Sequence, residues 1–251
     1  MSKDISIVIV DTASHTLAKF AIEQTLKTID CKEVLVFSDQ EIIKGAKHIP
    51  IRLNINLHDY SEIMLNHLWL HVETEHALVI QWDSMAVNQH MWTDDFLKYD
   101  YIGAIWPWPT QGIEMGNGGF SLRSRKLLEA LRDPKVYLGP VSGQNEDIAI
   151  CVEHRQLLIE KGIKYAPSNL ARMFATENEW LGPAFGFHGI WNMPRFLPEA
   201  DIRYAIENMP IRFWKDHSKV LAFAKTLREY GFDSLLDLCA EKIKITNTII
   251  K

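Results

Sequence analysis

The sequence predicts an α/β protein with a mostly parallel central sheet flanked by helices, and three observations favour this class. Short apolar runs typical of buried strands alternate with segments whose apolar residues recur at helical spacing. The chain has 251 residues, 47% of them hydrophobic, which is enough for one sizeable core. Aspartates stand at the ends of several predicted strands, where sheets of this class bind their ligands.

The amino-terminal part gives the order strand, helix, strand, loop, helix, strand. Residues 5–11 form a continuous apolar run of the buried-strand type, and residues 15–29 follow with helical periodicity. The next strand is predicted at residues 33–39, and residues 61–72 again have helical spacing. Residues 76–83 complete the series as a third buried strand.

Three aspartates are expected at one edge of this sheet. Asp11, Asp39 and Asp83 each end a predicted strand, and parallel strands bring such ends together, which suggests a polar or metal-linked ligand. For Asp11 and Asp39 a second interpretation stays open, because aspartate after a strand commonly caps a helix or opens a turn. Asp83 is the stronger candidate, since Gln81 is expected on the same face of its strand, although the following Ser84 suits a turn.

Residues 101–125 combine aromatic residues with glycines. Trp106 and Trp108 alternate with prolines, which disfavour helix and central strand, so an exposed or site-lining loop is expected. Gly116, Gly118 and Gly119 allow a ligand to approach the backbone closely, but a tight turn explains them equally well. The letters FSLRSRKLLEAL then predict a short strand that leads into a helix.

Two later segments carry candidate catalytic or ligand groups. Asn145, Glu146 and Asp147 precede an apolar-periodic helix, and helix capping accounts for two of the three. A carboxylate at such a position can also act as a general base, so Glu146 and Asp147 are both candidates. His188 lies in a glycine-flanked aromatic segment, predicted as a loop, where structural and ligand roles are both open.

Charge, cysteines and hydropathy exclude several classes of function. The chain has 27 basic and 32 acidic residues, so no overall positive field favours nucleic acid, and no nucleic-acid partner is expected. Its three cysteines are far apart, which indicates a reducing compartment and argues against a zinc site. No apolar run approaches a membrane span of ~20 residues, and the amino terminus does not have the pattern of a signal sequence. A soluble, cytoplasmic protein is expected.

The last segment, residues 198–251, has a different pattern from the alternating strands and helices before it and is predicted to form two or three amphipathic helices. Packing on the preceding part is the expected use. A homodimer contact, an acceptor-binding surface and a peripheral membrane surface stay open as alternatives. The last would use apolar and basic residues that stand together: Ile211, Arg212, Phe213, Trp214, Lys215 and Lys219.

The order QWD, GNGGFSLRSRKLLEAL, NEDIAICV and FGFHGIW resembles a family of bacterial glycosyltransferase-like domains of unassigned function, itself similar to GT-A type nucleotide-sugar glycosyltransferases. The likeness covers about residues 5–194. It implies one GT-A-like (Rossmann-like) catalytic domain over residues 1–197, with a helical extension over residues 198–251. It also implies metal-assisted, inverting transfer of a sugar from a nucleotide-diphosphate sugar to a glycan or glycolipid hydroxyl. The implied setting is the synthesis of bacterial surface polysaccharide or lipopolysaccharide at the inner face of the membrane.

The resemblance further implies a metal site and a donor site. Gln81, Trp82 and Asp83 stand where those enzymes have an Asp-X-Asp motif, with Gln81 in place of the first acid. Asp83 and His188 would then hold Mn²⁺ or Mg²⁺. Gln81 would touch ribose or metal as a neutral oxygen. Further donor contacts are implied for Asp11, Thr12, Asp39, Gly118, Gly119 and Arg123, and Arg125 and Arg172 are additional cations for the leaving phosphate.

A catalytic base and a sugar-lining wall complete the implied site. Glu146 and Asp147 resemble the pair in which an acid deprotonates the acceptor hydroxyl in inverting enzymes. Four aromatic residues would line the acceptor or the sugar: Trp106, Trp108, Phe120 and Trp191. The alternative is a non-catalytic module that binds a nucleotide sugar or carbohydrate on the same fold, favoured by Gln81 in place of an acid. The carboxylates and His188 favour the enzyme, because a binding module needs no base.

Overall fold

A computed structural model describes residues 3–110, 112–136 and 145–249. It is a mixed α/β structure with a mostly parallel central sheet, flanking helices and further helices at the carboxyl end, so the predicted class is confirmed. The predicted limits at residues 1 and 251 lie outside the described residues. None of the helices in these ranges is long and apolar enough to cross a membrane.

The strands, numbered along the chain, form three sheets. They are β1 (Lys3–Val10), β2 (Cys31–Ser38), β3 (Lys47–Pro50), β4 (His76–Ile80), β5 (Ser84–Ala86), β6 (Tyr101–Gly103), β7 (Ile105–Thr110), β8 (Ile113–Met115), β9 (Ser121–Ser124), β10 (Ala175–Thr176) and β11 (Gly186–His188). The central sheet has the order β3-β2-β1-β4-β9-β6, the second sheet the order β10-β11-β5, and β7 pairs with β8 alone.

The helices surround these sheets and continue beyond them. The α-helices are α1 (His15–Thr28), α2 (Leu57–Glu62), α3 (Arg125–Ala130), α4 (Glu146–Ile148), α5 (Arg155–Glu160), α6 (Ser168–Phe174), α7 (Met193–Phe196), α8 (Glu199–Asn208), α9 (Ile211–Lys215), α10 (His217–Glu229) and α11 (Ser234–Ile249). Two π-helical segments follow α2 and α4 directly, at Ile63–His67 and Ala149–Glu153. Short 3₁₀ turns lie at Leu68–Leu70, Gln89–Met91, Asp94–Lys98 and Ile190–Asn192.

The direction of each strand decides which loops meet at the functional edge. β3, β2, β1 and β4 are parallel, so the loops after β1, β2 and β4 leave at one edge, as the sequence predicts. β9 runs antiparallel to β4, with Ser121 opposite Val79. The loop before β9, which contains Gly118 and Gly119, therefore lies at the same edge as the residues that follow β4.

Burial explains why these segments form strands. All five residues of β4 are buried, as are the last six of β1, because helices cover both faces of a largely parallel sheet. The apolar side of α1 supplies Leu17, Phe20 and Ile22 to this core. The predicted strands and the first helix thus arise where the apolar pattern places them.

Three predictions about local structure are wrong. β4 ends at Ile80, so Gln81 and Asp83 belong to a turn, closed by the Ser84 N–H donating to the Gln81 carbonyl at 3.0 Å, and not to one strand face. The Trp–Pro segment forms β7, because a two-stranded ribbon has open edges that tolerate residues without an N–H group. His188 ends β11 and does not lie in a loop.

The carboxyl-terminal helices contact the rest of the chain through α8 and α10. Phe20 of α1 contacts Tyr204 of α8 with ring centroids 5.5 Å apart, and α10 packs against the turn Ile190–Asn192. Phe213 and Trp214 are buried, so the structure corrects the hypothesis that they form an apolar membrane surface.

Candidate active site

A cleft of about 350 Å³ opens at the carboxyl edge of the central sheet. It is lined by residues from α2, from the turn after β4, from β7, from the segment before β9, from α4 and the residue before it, and from the segments around β10 and β11. They are Leu57, Tyr60, Gln81, Trp106, Trp108, Asn117, Gly119, Asn145, Glu146, Asp147, Ile148, Glu177, Asn178 and His188. The cleft thus brings together residues that are up to 131 positions apart in the sequence (Leu57 to His188).

Two consecutive glycines stand between the acidic groups and the histidine of this cleft. The Gly118 N–H donates to Asp147 Oδ2 at 3.2 Å, and a Cβ atom at Gly118 would collide with Glu146. A Cβ atom at Gly119 would collide with the imidazole of His188. Neither glycine has a positive φ angle, so the need for glycine here comes from close packing and not from backbone strain.

We expect Gly119→Ala to displace His188 and to abolish ligand binding in the cleft. The added methyl group meets the rigid imidazole ring and not the end of a flexible side chain, so the ring must move. The shift of the His188 side-chain signals in a histidine-labelled NMR spectrum measures this displacement.

Gly112→Ala is the matched control for this substitution. An added methyl group at Gly112 meets nothing within 4 Å, but the φ angle of +78° is unfavourable for alanine. It should cost about 1–2 kcal/mol of stability and leave the His188 signals unchanged. Unchanged His188 signals in Gly119→Ala would contradict the packing described above.

Asp83, His188 and Glu177 form a chain of charged groups. His188 pairs with Ser84 across β5 and β11, and this register brings its ring to the neighbouring Asp83. His188 Nε2 lies 3.7 Å from Asp83 Oδ1, and His188 Nδ1 lies 2.9 Å from Glu177 Oε1. Burial disfavours the charged imidazole, but Asp83 and Glu177 outweigh that effect and raise the pKa of His188 to about 9.

The donor set of Asp83 and His188 fits a divalent cation with two protein ligands. Asp83 Oδ1 is buried without a hydrogen-bond partner, because the His188 imidazole at 3.7 Å is beyond hydrogen-bond distance, so this oxygen can still accept a ligand. Carboxylate oxygen and imidazole nitrogen suit Mn²⁺, and Glu177 on Nδ1 would orient the imidazole ligand. Because the pKa of His188 is raised to about 9, binding of the cation would have to displace the proton from Nε2. Within the described ranges no group of three or more His, Cys, Asp or Glu side chains has metal-binding geometry, so further ligands would come from substrate and water.

Asp147 lies in the cleft with an unusual protonation equilibrium. Its carboxylate accepts hydrogen bonds from the N–H groups of Gly118 and of the adjacent Ile148. Burial, with the neighbouring charge of Glu146 as the second cause, nevertheless raises the pKa of Asp147 to about 7. A carboxyl group with this pKa can take up a proton near neutral pH, as a general base must.

Glu146 has a different environment from its neighbour. Its Oε1 accepts from Nη2 of Arg123 at 2.8 Å, and both side chains are almost fully buried. Arg123 also donates to the Gly118 carbonyl and to the Ser121 hydroxyl. This ion pair fixes the glycine segment against α4.

Gln81 is held in the floor of the cleft by neutral hydrogen bonds. Its side-chain amide donates to the Tyr60 hydroxyl at 3.1 Å, and its backbone N–H donates to the Ser84 hydroxyl at 2.7 Å. The Ser84 hydroxyl in turn donates to the Gly119 carbonyl. Ser84, expected only to form a turn, therefore links the turn after β4 to the glycine segment.

Several predicted donor residues lie outside the cleft lining. Asp11 Oδ1 accepts from the N–H groups of Ala13 and Ser14, which is the turn interpretation left open by the sequence. Burial raises the pKa of Asp11, and these hydrogen bonds counteract part of the effect. Asp39 contacts His15 at 2.8 Å.

Thr12 and the three candidate arginines also lie outside the cleft lining. Thr12 accepts from the Ile55 N–H and so fastens a loop. Arg123 is fully buried and paired with Glu146, so its predicted contact with the leaving phosphate is corrected. Arg125 pairs with Glu129, and Arg172 lies exposed on α6.

The four aromatic candidates divide between the cleft, the core and a second cavity. Trp106 and Trp108 line the cleft, and Trp108 is 62% exposed. Phe120 is fully buried against Phe174 in an aromatic cluster, which corrects its predicted place beside the sugar. Trp191 lines a neighbouring cavity instead.

Sequence reasoning did not assign seven of the lining residues to a site: Leu57, Tyr60, Asn117, Asn145, Ile148, Glu177 and Asn178. Glu177 has the clearest role, since it holds the imidazole of His188. It stands in a polar segment without periodicity, and only the pairing of β10 with β11 shows that this segment begins beside His188. No pattern in the sequence signals that contact.

The family described as protein of unknown function (DUF5672) matches the chain over residues 46–188. No curated protein matches it. Among solved structures, the chain is similar to a glycosyltransferase involved in the glycosylation of the major capsid of PBCV-1. The identity is 13% and the TM-score 0.49, with coverage of 73% of this chain and 91% of that chain.

Two further solved structures are similar over a smaller share of their length. Bifunctional IspDF from Campylobacter jejuni has 12% identity and a TM-score of 0.42, with 66% of this chain and 49% of that chain covered. The chain thus spans about half the length of that protein. Glucosyl-3-phosphoglycerate synthase from Mycobacterium tuberculosis, in complex with Mn²⁺, UDP and phosphoglyceric acid, has 15% identity and a TM-score of 0.38, with 50% and 57% covered. At these values the likenesses carry no argument about function, which rests on the residues of the cleft.

Proposed function

The chain belongs to the family described as protein of unknown function (DUF5672), and we propose that it is a glycosyltransferase. It moves a sugar from a nucleotide-diphosphate donor to a hydroxyl of a glycan or glycolipid acceptor, with inversion at the anomeric carbon. Bacterial surface polysaccharide synthesis, on the cytoplasmic side of the membrane, is the setting that this proposal includes.

One observation carries the proposal. A single cleft is lined by Asp147, a carboxylate with a pKa of about 7, and by His188, and consecutive glycines contact these two groups. His188 lies 3.7 Å from Oδ1 of Asp83, a buried oxygen without a hydrogen-bond partner. Gly118 contacts Asp147, and Gly119 contacts His188. Sugar transfer needs both functions close together, because charge develops on the leaving diphosphate while the attacking hydroxyl loses a proton.

Asp147 and the Asp83–His188 pair have different roles in the reaction. The acceptor oxygen attacks the anomeric carbon from the face opposite the diphosphate, a new C–O bond forms, and the bond to the diphosphate oxygen breaks. The acceptor proton passes to the Asp147 carboxylate, and the electron pair of the broken bond leaves with the nucleoside diphosphate. Asp83 and His188 would hold a divalent cation, which when bound supplies positive charge to the leaving diphosphate.

A second candidate is a binding module for nucleotide sugars or carbohydrate. It is favoured by Gln81, whose amide is committed to Tyr60 where the resemblance implies an acid, and by the two-ligand donor set. Such a module would bind without turnover.

Turnover of a defined panel tests the proposal. The protein is incubated with UDP-, GDP-, ADP- and dTDP-sugars, each with Mn²⁺ or Mg²⁺, and the released nucleoside diphosphate is measured, with water as the acceptor. We expect slow release from the sugars of one nucleotide class. If the nucleotide sugars of one class bind but no nucleoside diphosphate is released, the binding module is favoured. If no nucleotide sugar binds and no nucleoside diphosphate is released, both functions are contradicted.

A further inference from the structure

We propose that a second cavity, between Trp191 and helix α10, is a subsite for a further sugar ring of an oligosaccharide acceptor. The proposal rests on the proposed function, since it takes the cleft as the place where the acceptor hydroxyl reacts. It assigns a part of acceptor recognition to the carboxyl-terminal extension, whose use the sequence leaves open.

The cavity adjoins the catalytic cleft at Asn178. It measures about 300 Å³ and is lined by Asn178, Trp191, Ser218, Lys219 and Ala222. Asn178 also lines the cleft. A linear ligand can therefore extend from the cleft past Asn178 into the cavity, whereas one sugar ring cannot fill both.

Trp191 is held in a fixed orientation and keeps part of its surface accessible. Its Nε1–H donates to the Glu177 carbonyl at 2.9 Å, and the side chain is only partly buried. Gly189, with φ of +89°, leaves room for the indole, because a Cβ atom there would collide with the ring. A rigid, partly exposed indole offers apolar contact area at low entropic cost, and the C–H face of a sugar ring is apolar.

Residues with polar side chains line the same cavity as this indole. Asn178, Ser218 and Lys219 provide an amide, a hydroxyl and an ammonium group. Ser218 donates to Asp216, which leaves its oxygen free to accept a hydrogen bond from a ligand hydroxyl. Ala222 is small, and its position in the middle of α10 keeps the cavity open.

The extension is positioned to act in this way because α10 packs against the turn Ile190–Asn192. That turn follows His188 directly, and Asn192 donates to the carbonyls of Glu177 and His188 at 2.7 and 2.8 Å. Trp191 in the wall of the cavity and His188 of the Asp83–His188 pair therefore lie on one short segment.

The test compares ligands of increasing length on four proteins. The probes are the mono-, di- and trisaccharides of glucose, galactose, N-acetylglucosamine and rhamnose, with dissociation constants taken from ligand-observed NMR titrations. The proteins are the wild type, Trp191→Ala, Ala222→Trp and Leu221→Trp. Ala222→Trp fills the cavity. Leu221→Trp is the matched control, since Leu221 neighbours it on α10, is 70% exposed and does not line the cavity.

We expect at least one di- or trisaccharide to bind the wild type and Leu221→Trp equally. It should bind Trp191→Ala and Ala222→Trp about tenfold more weakly, the size of one lost aromatic contact. The corresponding monosaccharide should bind all four proteins alike. Equal binding of the longer sugar to Ala222→Trp and the wild type, or binding of no sugar in the panel, would overturn the proposal.

A thermal-shift measurement with nucleoside diphosphates on the same proteins distinguishes failure of the subsite proposal from failure of the transferase proposal. Stabilisation by a nucleoside diphosphate together with a negative sugar result means that the subsite alone is wrong. A positive sugar result without any nucleoside diphosphate effect means that the subsite holds and the transferase proposal fails.

Discussion

Asp147→Asn should reduce sugar transfer by about 10³-fold, within the range that general-base catalysis contributes. Asparagine keeps the size of the side chain, and its oxygen can replace one of the two carboxylate oxygens that accept from the Gly118 and Ile148 N–H groups, so the cleft keeps its shape at the cost of one hydrogen bond. It cannot accept the proton of the acceptor hydroxyl. Donor binding should therefore be unchanged, and initial rates at saturating donor, with the donor dissociation constant, measure the two effects separately.

The pH dependence of transfer should follow the same carboxyl group. Burial and Glu146 raise the pKa of Asp147 to about 7, and only its ionised form is a base. Activity should fall about tenfold per pH unit below pH 7 and level off above it. The residual activity of Asp147→Asn should lack this descent.

Stability should change in the opposite direction to activity. Because the pKa of Asp147 is higher in the folded state than its usual 3.8, ionisation destabilises the fold increasingly as pH rises from about 4 to 7. Asparagine does not ionise. We expect Asp147→Asn to be more stable than the wild type in urea unfolding at pH 8, with the difference disappearing toward pH 4.

Asp133→Asn is the control for the rate of transfer and for its pH profile. Asp133 pairs with Lys161 outside the cleft lining, and its own hydrogen bonds lower its pKa. It should leave the pH profile of transfer unchanged. If Asp147→Asn retained wild-type rates, or if its stability difference did not depend on pH, the role assigned to Asp147 would be wrong.

Arg123→Met should have the largest effect on stability, a loss of about 3–5 kcal/mol. The substitution removes the guanidinium group 2.8 Å from Glu146 and leaves a carboxylate buried without a cation. It also removes the hydrogen bond to the Gly118 carbonyl, so the glycine segment loses its link to α4. Urea unfolding gives the free energy, and transfer activity should fall with it.

Arg125→Met and a double substitution make this prediction specific. Arg125 lies two residues later, is partly exposed and pairs with Glu129 at 3.1 Å, so its replacement should cost only about 0.3–0.5 kcal/mol. Arg123→Met with Glu146→Leu removes both charges and should recover most of the loss. Equal costs for Arg123→Met and Arg125→Met, or no recovery in the double variant, would contradict a buried ion pair.

The sequence predicts the sheet and its ligand-binding edge well, because buried strands have a local composition that can be recognised in the sequence. The Ile and Val runs of β1, β2 and β4 require helices on both faces, and parallel direction then brings their ends together. The same reasoning places Gln81 and Asp83 at that edge. It gives the wrong local structure, because the turn that separates them from β4 depends on the Ser84 hydroxyl and the Gly119 carbonyl, a contact over 35 residues.

The pairing of side chains inside the site could not be predicted in this way. Arg123 follows the glycine segment, where a cation could meet a phosphate, yet all four residues of β9 are buried and its guanidinium donates to Glu146, Gly118 and Ser121. The different roles of Glu146 and Asp147 follow from that burial, because the guanidinium group of Arg123 binds Glu146 and not Asp147. Both facts depend on antiparallel β9, whose direction no local pattern shows.

The most direct test of the proposed function is the affinity of nucleoside diphosphates for the wild type and for Asp83→Asn, each titrated calorimetrically with Mn²⁺ and with EDTA. If Asp83 and His188 hold a cation beside the diphosphate, one nucleotide binds the wild type in the presence of Mn²⁺. EDTA then weakens this binding, and Asp83→Asn weakens it by about tenfold or more. Equal affinity in all four titrations, or no binding of any nucleoside diphosphate, would contradict it.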